Sequence, residues 1–203
     1  MFEFEEAKVP LHDLVEITPG PSGSLLDRLG DDPDGIPVVS PADITDRHQV
    51  NPRNLRRLPR KDAEKLRRYA LREGDIVVVR QGALGRLAHI AHNQETWLYN
   101  SSCIRLRPDG LRVLPEYLTL YLMFPPVQEL LLSRAVPGTV QSLNSEILGE
   151  LPVVLLPSSR QRQLAEVAAN IDELAQAHRS TLDHLEMLKI SVVSNYLGTE
   201  TGT

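Results

Sequence analysis

The chain has 203 residues, of which 41% are hydrophobic, 24% charged and 4% aromatic, and its formal net charge is −5. This composition is typical of a soluble protein with one substantial domain and an extension. A single cysteine, Cys103, excludes an internal disulfide framework and a cysteine-rich zinc site. No apolar run is long enough to span a membrane, and the acidic start lacks the pattern of a signal peptide, so we expect a cytoplasmic protein.

Positive charge is concentrated in residues 47–86. This segment contains twelve basic and four acidic residues, a net charge of +8, whereas residues 1–46 carry a net charge of −9. Guanidinium groups bind phosphate and guanine bidentately, so an arginine-rich block favours a nucleic-acid surface. A solvated helix face followed by a basic loop would give the same pattern.

Short strands, loops and short helices are predicted up to residue 157. The Gly/Pro/Asp-rich residues 18–37 are typical of a surface loop. Strands are predicted over residues 75–80, 86–91, 103–107 and 151–157. Helices are predicted over residues 59–71, 115–123, 126–135 and 145–148.

One long helix is predicted over residues 159–197, because no proline follows Pro157. It would be about 58 Å long. Seven of ten positions spaced as a heptad seam are apolar, with a polar interruption at His178 and Thr181. The seam positions are Leu164, Val167, Ile171, Leu174, His178, Thr181, Leu185, Leu188, Val192 and Asn195.

This pattern favours a coiled coil with a partner helix, in which the polar layer fixes the register. A helix packed along its own domain is the alternative. We therefore predict an α+β fold with a mixed α/β domain over residues 1–157 and a dimerisation helix over residues 158–203.

Motifs of catalysis are scarce. The Gly-rich loop and Asn-Pro-Pro-aromatic motif of DNA methyltransferases are missing, as is a Walker-type phosphate loop. On a strand, His89 and His92 would point to opposite faces, and no carboxylate cluster completes a metal site with them. We predict no catalytic residue, no metal and no cofactor in this chain.

Several short motifs occur in an order that resembles the specificity (S) subunit of type I restriction-modification enzymes. The matching segments are PLHDL at 10–14, IPVVSPADI at 36–44, LREGDIV at 71–77, RQG at 80–82, GR at 85–86, NS at 100–101, PEYL at 115–118, GTVQSLN at 138–144, LPV at 151–153 and RQ at 160–161. Each segment is short, but together they cover nearly the whole chain.

The resemblance implies a target recognition domain followed by a spacer helix. Such subunits bind double-stranded DNA without doing chemistry. A partner methyltransferase subunit carries S-adenosylmethionine, and a motor-nuclease subunit cleaves. A typical member has two recognition domains and two helices, whereas this sequence has one set. We therefore expect a homodimer that pairs its helices antiparallel and reads two inverted half-sites.

Candidate DNA contacts follow from this interpretation. The arginine-rich block and the strand ends supply Arg47, Arg53, Arg56, Arg57, Arg60, Lys61, Arg80, Gln81 and Arg86. The polar loop before residues 145–148 supplies Thr139, Gln141, Ser142 and Asn144. Amides can read adenine and hydroxyls can hold phosphate, although turns use the same residues. An adaptor that works through its coiled coil, or the recognition module of another DNA-defence assembly, is the alternative.

Overall fold

The computed structural model describes residues 8–136 and 141–197, and the chain divides after Gln161 into two compact units. The first unit contains all nine strands of the described residues and four helices, and the described residues of the second unit are the remainder of a fifth helix. The predicted α+β class is therefore confirmed.

A four-stranded antiparallel sheet with the order β2-β8-β5-β6 forms the centre of the first unit. Its strands are β2 (Val15–Pro19), β5 (Ile76–Val79), β6 (Leu87–His89) and β8 (Cys103–Pro108). The sequence Ile-Val-Val-Val of β5 suits an inner strand, since β-branched side chains pack well on a pleated surface, and all four residues are buried. Gly74, at φ +82°, makes the turn that leads into this strand.

One face of this sheet packs against helices. Ile76 and Val78 belong to a core that also includes Leu118 and Leu131 of two consecutive helices. The helices on this side are α2 (Pro115–Met123), α3 (Pro125–Ser133) and α4 (Ser145–Gly149). A two-stranded antiparallel sheet of β1 (Lys8–Pro10) and β9 (Pro152–Val154) adds Val153 to the same core.

The opposite face packs against a smaller sheet of order β4-β3-β7. Val77 and Val79 belong to this second core, together with Val38 and Leu98. The strands are β3 (Ile36–Val39), β4 (Arg57–Leu58) and β7 (Leu98–Tyr99), with β3 antiparallel to β4 and parallel to β7. The alternation of side chains along β5 thus supplies both cores.

The helix predicted over residues 59–71 is wrong as a single element. Only α1 (Arg60–Ala63) is α-helical, and a 3₁₀ segment over Glu64–Tyr69 follows, with Leu66 at φ −107° and ψ 18°. The buried Arg105 explains the change, because its Nη1 donates to the carbonyl oxygens of Arg68 and Ala70, at 3.1 and 3.4 Å. The contact from β8 thus holds this segment in its irregular conformation.

Among the other predicted helices, α2 has the predicted bounds and the rest have shifted ends, and the strand predicted over residues 151–157 shortens to β9. The long helix, α5, runs over Ser158–Leu197 and is about 60 Å long. Its first turn belongs to the first unit, up to Gln161. The loop predicted over residues 18–37 is shorter than predicted, because its first two residues belong to β2 and its last two to β3, and it contains one 3₁₀ turn, Gly23–Leu26.

Candidate nucleic-acid interface

Four of the basic side chains that are predicted to contact DNA are exposed and unpaired in the described part of the chain. Arg47, Arg53, Arg60 and Lys61 make no side-chain hydrogen bond or ion pair within residues 8–136 and 141–197. An unpaired guanidinium or ammonium group can exchange solvent counterions for phosphate oxygens without first breaking an internal bond. These four residues, the free cations, are the candidates best suited to phosphate binding.

Three other arginines that are predicted to contact DNA donate hydrogen bonds to backbone carbonyl oxygens of the first unit. The Nη2 of Arg56 donates to the carbonyl oxygen of Leu29, and the Nη1 of Arg57 donates to that of Gly35 at 3.1 Å. Arg86 donates to the carbonyl oxygen of Ile44 at 3.1 Å and pairs with Asp46 at 2.7 Å. These contacts hold the backbone of surface loops, so the three guanidinium groups are already engaged within the fold.

The loop that carries Arg47, residues 44–50, is tightly closed. Its ends meet in the antiparallel bridge between Ile44 and Val50, and the Thr45 N–H donates to the carbonyl oxygen of Gln49 at 2.9 Å. His48 has a positive φ of 59°, and its Nδ1 lies 3.3 Å from the Leu87 carbonyl oxygen. Arg47 is therefore exposed on a loop held at both ends and docked to β6.

A second group of predicted residues meets at the end of β5. Gln81 forms an isolated antiparallel bridge with Ser142, and the Arg80 carbonyl oxygen accepts the Leu143 N–H at 2.9 Å. Gln81 and Gln141 are exposed, whereas Arg80 and Ser142 are half-buried. The buried Nε of Arg80 has no hydrogen-bond partner within the described residues. The structure thus brings together residues that are about sixty positions apart in the sequence.

Asn144, a further candidate in the polar loop, has a structural contact. Asn144 caps α4, because its Oδ1 accepts the Ile147 N–H at 2.8 Å. That contact uses its carbonyl oxygen for a structural purpose. Thr139 lies in residues 137–140, outside the described part of the chain.

Sequence reasoning missed a charged network around the buried side chains of Arg105 and Asp75. Arg105 is 1% exposed and donates to Glu16 Oε1 at 2.6 Å and to Thr18 Oγ1 at 3.0 Å. Arg107 forms a bidentate pair with the buried Asp75, with both distances 2.7 Å. The sequence feature that could have revealed this network is the alternation of polar and apolar residues along β8, which places both arginines on one face of the strand.

Protonation equilibria reflect this network. The Thr18 hydroxyl, which donates to the carboxylate, is the largest cause that lowers the pKa of Glu16, and Arg105 and Arg107 lower it further. The hydrogen bond to Asp75 raises the pKa of Arg107. Both pKa shifts favour the charged forms, the carboxylate of Glu16 and the guanidinium of Arg107.

Gln161 fixes the first turn of α5. Its side chain is fully buried, and its Oε1 accepts the Leu114 N–H at 2.8 Å. Its Nε2 donates to the carbonyl oxygens of Arg112 at 2.9 Å and Leu156 at 2.8 Å. One amide side chain thus joins the loop before α2, the segment after β9 and the start of the long helix.

The predicted seam of α5 is exposed in the single chain. Its apolar side chains are between 47% exposed at Leu164 and 61% exposed at Ile171. The other apolar seam members in this range are Val167, Leu174, Leu185, Leu188 and Val192. His178 and Thr181 are also exposed. An exposed apolar seam of this length, interrupted at its centre by a polar layer, marks an interaction surface.

Two features of the described residues bear on metal binding and on membrane insertion. These residues contain no group of three or more His, Cys, Asp or Glu side chains that could hold a metal ion. None of their helices is long and apolar enough to cross a membrane.

Comparison with known proteins gave matches among solved structures alone. No family model and no curated protein matches the chain. The HsdS subunit from Thermoanaerobacter tengcongensis matches with a TM-score of 0.57 and 16% identity, over 87% of this chain and 40% of that one. The type I restriction-modification S subunit from M. genitalium matches with a TM-score of 0.62 and 14% identity, over 99% of this chain and 48% of that one.

A third structure, of the complex assembly and conformational transition of a type I R-M system, matches with a TM-score of 0.60 and 16% identity. This match covers 96% of the chain and 46% of that structure's chain. The chain thus spans less than half the length of each of these three chains. The described chain has the fold found in the S subunits of type I restriction-modification systems, as the ordered sequence motifs predict.

Proposed function

We propose that this chain is a non-catalytic, sequence-specific subunit that recognises double-stranded DNA in a type I-like restriction-modification complex. The observation that carries the proposal is the fold, which follows S subunits through both the α+β unit and the long helix. The free cations and the exposed seam of α5 support the same interpretation.

The first unit would bind DNA through two kinds of contact. Arg47, Arg53, Arg60 and Lys61 would contact phosphates, which gives affinity without sequence preference. The cluster at the end of β5, with Arg80, Gln81 and Gln141, would read base edges. The tied residues Arg56, Arg57, Arg86 and Asn144 would hold the loops that carry these side chains.

The long helix would pair with a second copy and dock a methyltransferase subunit. Antiparallel pairing would place two recognition domains on a two-fold axis, so that the target consists of two inverted half-sites. The methyltransferase subunit would carry S-adenosylmethionine, and a motor-nuclease subunit would complete the complex. The apolar stripe on α5 is the feature of this chain that calls for such partners.

The proposal is tested by duplex binding of the full chain at several salt concentrations. The double variant R53A/R60A removes two free cations, so the slope of log K against log salt should become shallower by about 2. The control R162A/R179A removes the same charge from α5, outside the first unit. Equal slopes for the two variants, or no duplex binding by the unaltered chain, would refute the assigned surface.

Sequence specificity requires a separate measurement. Selection of bound duplexes from a random library, with the full chain as bait, should return an inverted repeat. Replacing Gln81 by Ala should relax selection at one position of each half-site and leave the others unchanged. A library that shows no enrichment, although the chain binds DNA, would favour the adaptor interpretation, in which the exposed seam of α5 is the working surface.

A further inference from the structure

The seam of α5 carries polar residues at its centre. His178 and Thr181 interrupt an otherwise apolar run, with Ile171 and Leu174 before them and Leu185 and Leu188 after them. All of these side chains are exposed in the single chain. Any partner helix must therefore cover two polar groups between apolar layers, and burying them without hydrogen bonds is unfavourable.

Building on the homodimer proposed above, we infer that two α5 helices pair antiparallel in one register, in which His178 of each copy faces the partner's Thr181. The seam layers that result are symmetric about a two-fold axis. The facing residues are Leu164 with the partner's Asn195, Val167 with the partner's Val192, Ile171 with the partner's Leu188, Leu174 with the partner's Leu185 and His178 with the partner's Thr181.

Neighbouring antiparallel registers are unfavourable. A shift of one heptad in one direction places His178 against the partner's Leu174 and Thr181 against the partner's Ile171. The opposite shift places them against the partner's Leu188 and the partner's Leu185. In both cases four polar side chains per dimer lose polar neighbours, because each mismatch occurs twice.

The hydrogen-bond capacity of Thr181 favours the antiparallel orientation. Its hydroxyl donates to the Ala177 carbonyl oxygen at 3.0 Å, so the hydroxyl oxygen remains as an acceptor. An imidazole N–H of the partner's His178 is a suitable donor. Parallel pairing in register would instead place two threonines together, both already committed as donors. It would also place two basic residues side by side at positions that flank the seam, His184 and the partner's Lys189, which does not favour pairing.

This register fixes the overlap of the two helices. Residues from Arg162 to Leu197 would be paired along their whole length, since Arg162 lies level with the partner's Leu197. The two copies of Arg162 would then be about 53 Å apart along the helix axis. A spacing set by side-chain pairing would hold the two half-sites of the proposed DNA target at a fixed separation.

Cysteine cross-linking in the full chain tests register and orientation together. Burial raises the pKa of Cys103 to about 12, which keeps the native thiol unreactive. The variant L174C/L185C places cysteines in facing positions and should form covalent dimers at least about tenfold faster than V167C/L185C and L174C/V192C, which match the two shifted registers. The single variant L174C should remain monomeric on a non-reducing gel.

A second set of variants tests the polar layer itself. In the H178T/T181H background the His–Thr pair is exchanged but preserved, so the pattern of cross-links should stay the same. In the H178L/T181L background the register is no longer specified, and all three double-cysteine variants should cross-link at similar rates. Sedimentation of the reduced variants provides the measure of dimer formation that does not depend on disulfides.

The outcomes separate this inference from the proposed function. Fast cross-linking of a shifted pair would overturn the register, and fast cross-linking of L174C alone would overturn the antiparallel orientation. A monomer in sedimentation, with no cross-link in any variant, would refute the homodimer as well. Duplex binding and its salt dependence are measured independently, so DNA recognition is judged on the variants of the first unit.

Discussion

Single buried polar residues hold distant segments of the first unit together. Arg105, Asp75 and Gln161 are each at most 1% exposed, and each one contacts segments that are distant in the sequence. A buried polar group is stabilising only where its partners are present, and removing one member leaves the others unsatisfied. Such residues therefore specify how loops and helix starts are placed around the two apolar cores.

Gln161 offers the most direct test of this view. Replacing it by Ala leaves the Leu114 N–H and the carbonyl oxygens of Arg112 and Leu156 without their partner. We expect the free energy of unfolding to fall by about 2–3 kcal/mol, the usual cost of unsatisfied buried groups. Urea denaturation followed by circular dichroism measures the change.

The matched control is Gln163→Ala, because Gln163 is exposed on the next turn of the same helix. Its replacement should change the free energy of unfolding by less than about 0.5 kcal/mol. Equal effects of the two substitutions would show that helix propensity, and not the buried hydrogen bonds of Gln161, decides stability at this point.

His89 makes stability dependent on pH. Burial lowers its pKa below the ordinary value of 6.5, and its buried Nε2 has no hydrogen-bond partner within the described residues. Below pH 6.5 the unfolded chain binds a proton that the folded chain does not, so the free energy of unfolding falls as the pH falls. In the variant H89Q this decline should be smaller between pH 6.5 and pH 5. Denaturation at a series of pH values tests this, with the exposed His184→Gln as control.

At the scale of elements, the loop of residues 44–50 shows how a tied arginine supports a free one. Arg86 holds this loop through Ile44 and Asp46, while Arg47 is exposed on it. We expect R47A to make the salt dependence of duplex binding shallower by about 1. R86A should weaken binding as well, because the loop loses two of its contacts.

A double-mutant cycle separates the two roles. If Arg86 acts by positioning Arg47, the double variant R47A/R86A should bind about as weakly as the weaker single variant, since the two residues act as one unit. Additive losses of binding free energy would mean that Arg86 contacts DNA directly, as the sequence alone predicted. Equilibrium titration of one labelled duplex at fixed salt is sufficient.

The strands and helices differ in how well the sequence predicts them. The inner strand β5 and the helix α5 can be predicted from local patterns, because a run of β-branched residues and a heptad repeat are each visible within a short stretch of sequence. The broken helix at residues 60–69 does not, since its conformation depends on Arg105, more than thirty residues away. The free and the tied arginines of residues 47–86 are likewise indistinguishable in sequence, because their partners come from other segments.

For the whole molecule, segregation of charge along the chain is only partly a segregation in space. Asp46 of the acidic first segment pairs with Arg86 at 2.7 Å, and Asp62 pairs with both Arg28, at 3.0 Å, and Lys65, at 2.9 Å. Internal pairing of this kind reduces the positive field of residues 47–86. The few cations that remain unpaired therefore give a modest affinity for DNA, which two linked recognition domains can raise through their effective concentration.

The dependence of DNA affinity on the pairing of two α5 helices is tested by a charge placed in the seam. The variant L174E puts a carboxylate into the layer that would face the partner's Leu185, and burial of an unpaired charge is strongly unfavourable. We expect a monomer in sedimentation. Binding to a selected inverted-repeat duplex should weaken by about 10²–10⁴-fold, because the second domain is no longer held near the DNA.

Binding to a duplex with a single half-site should change little in the same variant, since the first unit keeps its free cations and its cores. The control Q176E adds the same charge at an exposed position off the seam, and it should leave both the dimer and the affinity intact. An L174E monomer that binds the inverted repeat as tightly as the unaltered chain would show that each chain reads its target alone. In that case α5 serves the methyltransferase subunit and not a second copy, and the spacing of the half-sites is set elsewhere in the complex.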